Sequence, residues 1–101
     1  MLRHIVMYRF LPQAEGRTRE ENRKIAAALA DVLGQEVPQL RSFSYGIGCT
    51  GADGGNYDIV LICDLDDLDA LAAYKQHPAH KAFGAHCHAV SDSRAAIDFD
   101  L

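Results

Sequence analysis

The sequence predicts an α+β domain in which a four-stranded antiparallel sheet carries its helices on one face. Three observations carry this expectation. The first ten and the last nine residues each alternate apolar and polar positions, as strands do. A capping box opens an amphipathic helix shortly after the first strand. A mostly apolar third strand is followed by two short helices that meet around Pro78.

From Leu2 to Phe10, the residues Leu2, His4, Val6, Tyr8 and Phe10 share one side of an extended chain. Arg3, Ile5, Met7 and Arg9 share the other. Pro12 ends this strand. Thr18-Arg19-Glu20-Glu21 places a hydroxyl at an N-cap and a carboxylate three residues on. In the helix that follows, Ile25, Ala26, Leu29, Val32 and Leu33 form the apolar stripe. Arg19, Arg23 and Lys24 are left for water, and Gly34 or Pro38 is expected to stop the run.

Residues 41 to 48 set Phe43, Tyr45 and Ile47 against Ser42, Ser44 and Gly46, a second strand with one packed and one lean face. The segment from Thr50 to Asn56 is turn chemistry throughout. Tyr57 to Leu65 is apolar on both sides at its centre, so this third strand is expected to be covered on both faces. Asp66-Asp67-Leu68-Asp69 puts carboxylates at the positive end of a short helix running to about Tyr74. Pro78 then opens another helix with His77 before it, and Ser93 to Leu101 closes the chain as a fourth strand. The order β-α-β-β-α-α-β is the split βαβ, or ferredoxin-like, arrangement. It leaves one sheet face bare, which a second copy facing it across a two-fold axis would cover, so a homodimer is expected.

The 101 residues fit one domain spanning 1-101, with 49% hydrophobic and 24% charged side chains. The net charge of −4 is uneven: residues 1 to 50 carry 7 basic and 5 acidic groups, and residues 51 to 101 carry 3 and 9. That balance forms no basic patch, and no nucleic-acid partner is expected. The apolar run Ile5-Val6-Met7 is too short for a signal or a membrane span, so the protein is expected to be cytoplasmic with no membrane partner. Cys49, Cys63 and Cys87 are odd in number, widely spaced and without a C-x-x-C pair, and all three read as reduced thiols.

Chemistry concentrates in Tyr74-Lys75-Gln76-His77-Pro78-Ala79-His80. Four of the five histidines lie between 77 and 88, and the fifth, His4, points inward from the first strand. His80 shares a helical stripe with Phe83, Gly84 and Cys87 and should face the sheet, where His4 and Tyr74 also point. A cavity lined by His80, His4 and Tyr74 would suit acid-base work, since an imidazole titrates near neutrality and a phenol donates to an oxyanion. Each also has a structural reading, as a hydrogen-bonded core residue. His77 reads as a helix cap, Lys75 and Gln76 as solvent-facing spacers, and His86 and His88 as exposed surface. His77-x-x-His80 and His86-Cys87-His88 have transition-metal spacings, but residues two apart on a helix diverge and no carboxylate or thiolate stands beside the first pair. No metal or other cofactor is expected. Serine and cysteine nucleophiles lack an activating motif, and the Gly51 to Gly55 loop lacks the pattern of a phosphate cradle.

The opening His4-Ile5-Val6-Met7, the strand Tyr57-Asp58-Ile59-Val60-Leu61, the block Ala73-Tyr74-x-x-His77-Pro78-Ala79-His80 and the closing Ile97-Asp98-Phe99 together resemble the stress-responsive A/B barrel (Dabb) domain family. The resemblance spans nearly the whole chain, and the Tyr-x-x-His-Pro-x-His block is its most specific element. It implies a dimeric α+β barrel. By motif, Tyr74 and His80 correspond to the tyrosine and histidine with which a plant cyclase of the family closes a linear polyketide, and His4 to its first-strand histidine. The third-strand histidine of that enzyme falls at Ile59 here, so one polar wall of its pocket is missing. The expected function is therefore a homodimer binding a small, largely apolar molecule between sheet and helices. Cofactor-free acid-base chemistry would fall to His80 as base, Tyr74 as orienting group or donor, and His4 as assistant. The alternatives are a non-catalytic stress-related or binding protein and a metal- or haem-dependent oxygenase of the kind found among wider relatives of the barrel.

Overall fold

The alternation of the first ten residues becomes strand β1 (Leu2–Phe10) in the computed structural model, which describes residues 1–101. β4 (Ser42–Ile47), β5 (Ile59–Leu65) and β6 (Ser91–Asp100) join it in one sheet of order β4-β5-β1-β6, with every neighbouring pair antiparallel. Helices α1 (Arg19–Glu36), α2 (Leu68–Gln76) and α3 (Pro78–Val90) pack on one face. The ferredoxin-like order expected from the sequence is the observed one. A short hairpin, β2 (Gln13–Ala14) and β3 (Arg17–Thr18), precedes α1 and was not anticipated. Its two-residue turn holds Glu15 at φ 55° and Gly16 at φ 72°, the left-handed pair that matches strand twist.

The period-two rule assigns the faces. Leu2, His4, Val6, Tyr8 and Phe10 are buried beneath the helices with Ile59, Leu61, Cys63 and Leu65. Phe10 and Phe83 lie at the middle of this core, each contributing about 1.5–3 kcal/mol by leaving water. The opposite face carries Ile5, Met7, Val60, Ile62, Ala95, Ile97 and Phe99 by register, and Ile97 and Phe99 remain 58% and 38% exposed. A salt bridge bounds each end of this apolar band, Arg3–Asp64 at one end and Arg9–Asp92 at the other.

Thr18 caps α1 as expected, accepting from the Glu21 amide while the Glu21 side chain accepts from the Thr18 amide. The helix is nevertheless rotated from its expected setting. Its buried residues are Asn22, Ala26, Ala30 and Leu33, while Val32 is exposed. The cause is polar. Asn22 is fully buried, accepting from Arg17 Nε at 2.7 Å and donating to the Ala14 carbonyl at 3.2 Å, and this draws the preceding hairpin against the helix. Gly34 does not end α1, which runs on to Glu36 just before Pro38; its missing side chain instead makes room for the Phe43 ring, since a methyl group there would stand 2.5 Å from Phe43 Cδ2. Arg19 and Arg23 do not face water either. Both turn toward Asp58, which is 2% exposed at the foot of β5. Arg23 Nε donates to Asp58 Oδ1 at 2.7 Å, and the Phe10 amide donates to Oδ2 at 2.6 Å.

Removing one partner of a buried, hydrogen-bonded ion pair costs about 3–5 kcal/mol, whereas losing an exposed cap costs about 1 kcal/mol. Urea unfolding is therefore expected to place Asp58→Ala far below Thr18→Ala in stability. Equal losses would show that Asp58 is not a structural node.

Candidate functional site

His4 stands on the helix side of β1 with Cys63 of β5 on one flank and Asp98 of β6 on the other. Its Nδ1 is 2.5 Å from Asp98 Oδ1. A carboxylate only accepts, so Nδ1 carries the donated proton. His4 is buried, and the Asp98 side chain is about one-third exposed at the sheet edge.

Tyr74 comes from the last turn of α2 and His80 from the first turns of α3. The joint between them is local chemistry: the His77 side chain accepts from the Ala79 amide at 3.0 Å, and Pro78 takes the first helical position. That joint turns both rings to the sheet. The Tyr74 and His80 centroids are 4.6 Å apart and those of Tyr74 and His4 are 6.3 Å apart, both edge-to-face. The three residues singled out from the sequence are thus brought together, with Asp98 added. The sequence marks Asp98 only as part of the closing Ile97-Asp98-Phe99 segment and gives it no role in the site, because its partner lies 94 residues away.

The three rings do not line a cavity. Tyr74 is 0% exposed, and none of the five clefts of the subunit is bordered by Tyr74 or His80. The Tyr74 hydroxyl accepts from Cys63 Sγ at 3.6 Å. Since β5 and β6 lie on opposite sides of β1, the phenol oxygen points away from Asp98. The open ground lies at the other edge. Arg94, Ala96 and Asp98 share the helix side of β6 by register, yet all three are exposed, because the helices do not extend over this strand. His80, half-buried, lies against Tyr74, within electrostatic reach of His4 and of Arg94 on that shelf. Gly84, one turn further along α3, is buried, but a methyl group on it would meet nothing beyond its own helix within 4 Å except His80 Cε1 at 3.9 Å. Room is left there.

Electrostatics separate the roles of these groups. Burial, reinforced by His4 and Lys75, lowers the His80 pKa from 6.5 to about 4, so the ring is neutral at pH 7 and able to accept a proton. Burial and the adjoining Cys63 thiol hold the Tyr74 phenol above its ordinary range, and burial pushes the Cys63 thiol up to about 11. Neither ionises at neutral pH. Of the remaining histidines, His77 is the helix cap and His88 is exposed. His86 is not the free surface residue expected: it is half-buried, edge-on to Phe10, with Nε2 3.0 Å from the Asn22 carbonyl. Lys75 and Gln76 face solvent as expected.

The family model for the stress responsive A/B barrel domain matches residues 2–101. An uncharacterized protein of Streptomyces coelicolor is 32% identical over 83 residues, 81% of either chain. Among solved structures, a dimeric ferredoxin-like protein of unknown function from Thermobifida fusca superposes with a TM-score of 0.81 at 29% identity, covering 99% of this chain and 90% of its own. A dimeric protein with a ferredoxin-like fold and unknown function from Bacteroides fragilis gives 0.79 at 22% identity, covering 99% and 95%.

The depressed value of His80 has a thermodynamic sign. Between pH 6.5 and about 4 the unfolded chain binds the proton that the folded chain refuses. Its contribution to stability is therefore complete above pH 6.5 and is lost as pH falls through that window. Asp64, Asp66 and Asp92, each held below 3.8 first by an arginine hydrogen bond, act only below it. Thermal unfolding from pH 7 to 4.5 should show a falling midpoint, with a shallower fall in His80→Gln. Parallel profiles would rule out a buried neutral His80.

Proposed function

The chain belongs to the stress responsive A/B barrel domain family, and on that premise we propose that it is a homodimer whose subunits each bind a small, largely apolar molecule on the helix side of β6 and exchange a proton with it. One observation carries this reading: His80, neutral and half-buried, stands with the His4–Asp98 couple beside a strand that the helices leave uncovered. An imidazole kept neutral by burial can accept a proton at pH 7, and its lowered value restricts it to an acidic C–H such as one next to a carbonyl. His80, as the imidazolium so formed, returns the proton, while Asp98 holds the His4 ring in place through Nδ1. Tyr74 takes the part of a positioning residue. Its ring fixes the setting of His80, while its hydroxyl is occupied at Cys63. This narrows the sequence-based expectation, in which Tyr74 was also a candidate donor to the ligand. Dimerisation is supported by the bare apolar face of the sheet and by the dimeric state given for the two similar structures.

A second reading, a binding protein without catalysis, is favoured by the complete burial of Tyr74 and the close packing of the rings. The two readings part over proton exchange. In deuterium oxide with a small apolar ketone, the wild type is expected to accelerate exchange of the α-protons, and His80→Ala to lose about 10²–10⁴ of that rate. Binding without accelerated exchange would leave the non-catalytic reading standing.

The room beside Gly84 gives a further expectation. Gly84→Ala should raise stability by about 0.5–1 kcal/mol, the ordinary gain of alanine within a helix, while weakening retention of the ketone. Calorimetry and ligand-observed NMR on one sample check both. A variant that gains stability and binds as before would exclude this gap from the site.

A further inference from the structure

The chain has seven arginines, and six of them donate to an acceptor within the protein. Arg94 alone donates to no carboxylate, carbonyl or amide. It is exposed on the helix side of β6, directly across from Tyr8, with its guanidinium carbon 6.0 Å from the centre of that ring. His88 closes on the same ring edge-on at 5.6 Å. The Tyr8 hydroxyl also lies within hydrogen-bonding reach of the guanidinium, which orders the group and leaves most of its five N–H donors open. The donors left over stand two residues from Ala96 and four from Asp98 along one face, so the shelf has a positive end at Arg94 and a negative end at Asp98, with Ala96 between.

We infer that Arg94 is an anion-recognition residue of this shelf and that the molecule bound there carries a carboxylate, placed against the guanidinium with its apolar body over Ala96. The inference rests on the shelf being the binding site, as proposed above, and adds the chemical class of the ligand. A planar guanidinium with free donors matches a carboxylate in two parallel hydrogen bonds. A single such group balances one negative charge, which suits a carboxylate better than a phosphate monoester. Asp98 repels an anion from its own end of the shelf, so the orientation is set as well as the class. The group that loses a proton then lies toward His80 and the His4–Asp98 couple, away from the carboxylate.

The test uses two isosteric pairs, hexanoate with hexanamide and phenylacetate with phenylacetamide, titrated into full-length protein. Backbone amide shifts of residues 94–98 and the His80 ring signals are followed by NMR. Wild type is expected to hold each carboxylate about tenfold or more tightly than its amide, the usual worth of a charge-assisted hydrogen bond. Raising the salt concentration should narrow that gap. Arg94→Gln should abolish the preference and leave amide affinity unchanged, and Arg94→Lys should keep part of it. If both members of a pair bind the shelf equally in wild type, or if Arg94→Gln retains the preference, the anion assignment falls while the shelf survives. If neither member perturbs the shelf, the binding site itself is refuted, and the assignment with it.

Discussion

A single buried carboxylate organises this fold. Asp58 sits where β5 begins, accepts the backbone amide of Phe10 where β1 is ending, and draws Arg23 and Arg19 down from α1. Two strands and the longest helix are thereby tied at one point. A charge in that position is tolerable only when its lone pairs are filled, and a guanidinium and an amide fill them. The setting of α1 follows from it, together with Asn22, which anchors the hairpin to the same helix face. With α1 fixed, the Phe43 ring meets the helix at Gly34, where no side chain intervenes.

The candidate site depends on an imbalance between strands and helices. Three helices pack beneath a four-stranded sheet, and the covered area stops short of β6. The sheet thus has a buried interior strand, β5, where Tyr74 meets Cys63, and an open edge strand, β6, where Arg94, Ala96 and Asp98 are exposed. His4 bridges the two. It is buried like a core residue, yet its hydrogen bond reaches the open edge. Its alternation pattern in the sequence reads as that of any core position.

Local signals in the sequence were sufficient for most of the architecture. The Thr18 capping box, the His77-Pro78 helix start and the period-two pattern of β1 are each determined by neighbours within a few residues, and each appears as expected. What escaped was set by partners far along the chain. Arg23 finds Asp58 across 35 residues, His86 finds Asn22 across 64, and His4 finds Asp98 across 94. Periodicity alone rotates α1 toward Ile25 and Val32, since it weighs apolar side chains and gives no credit to a buried asparagine. The clustering of His4, Tyr74 and His80 could be foreseen because all three fall on faces that must point inward. The direction of the Tyr74 hydroxyl could not, because a ring on the correct face may still aim its oxygen at either neighbouring strand.

The pairing of β1 with β6 carries a consequence for biosynthesis. The first and last strands lie side by side, and the Leu101 amide donates to the Met1 carbonyl. A nascent chain can form its early helix and hairpin while still on the ribosome, but β1 has only one permanent neighbour until residues 91–100 emerge. Contacts of such long sequence separation form late and slowly. The His4–Asp98 couple is made from opposite ends of the chain, so it comes into being only once β6 has docked. A product broken off between His80 and Asp98 would hold both histidines but lack the carboxylate that His4 meets at the open edge.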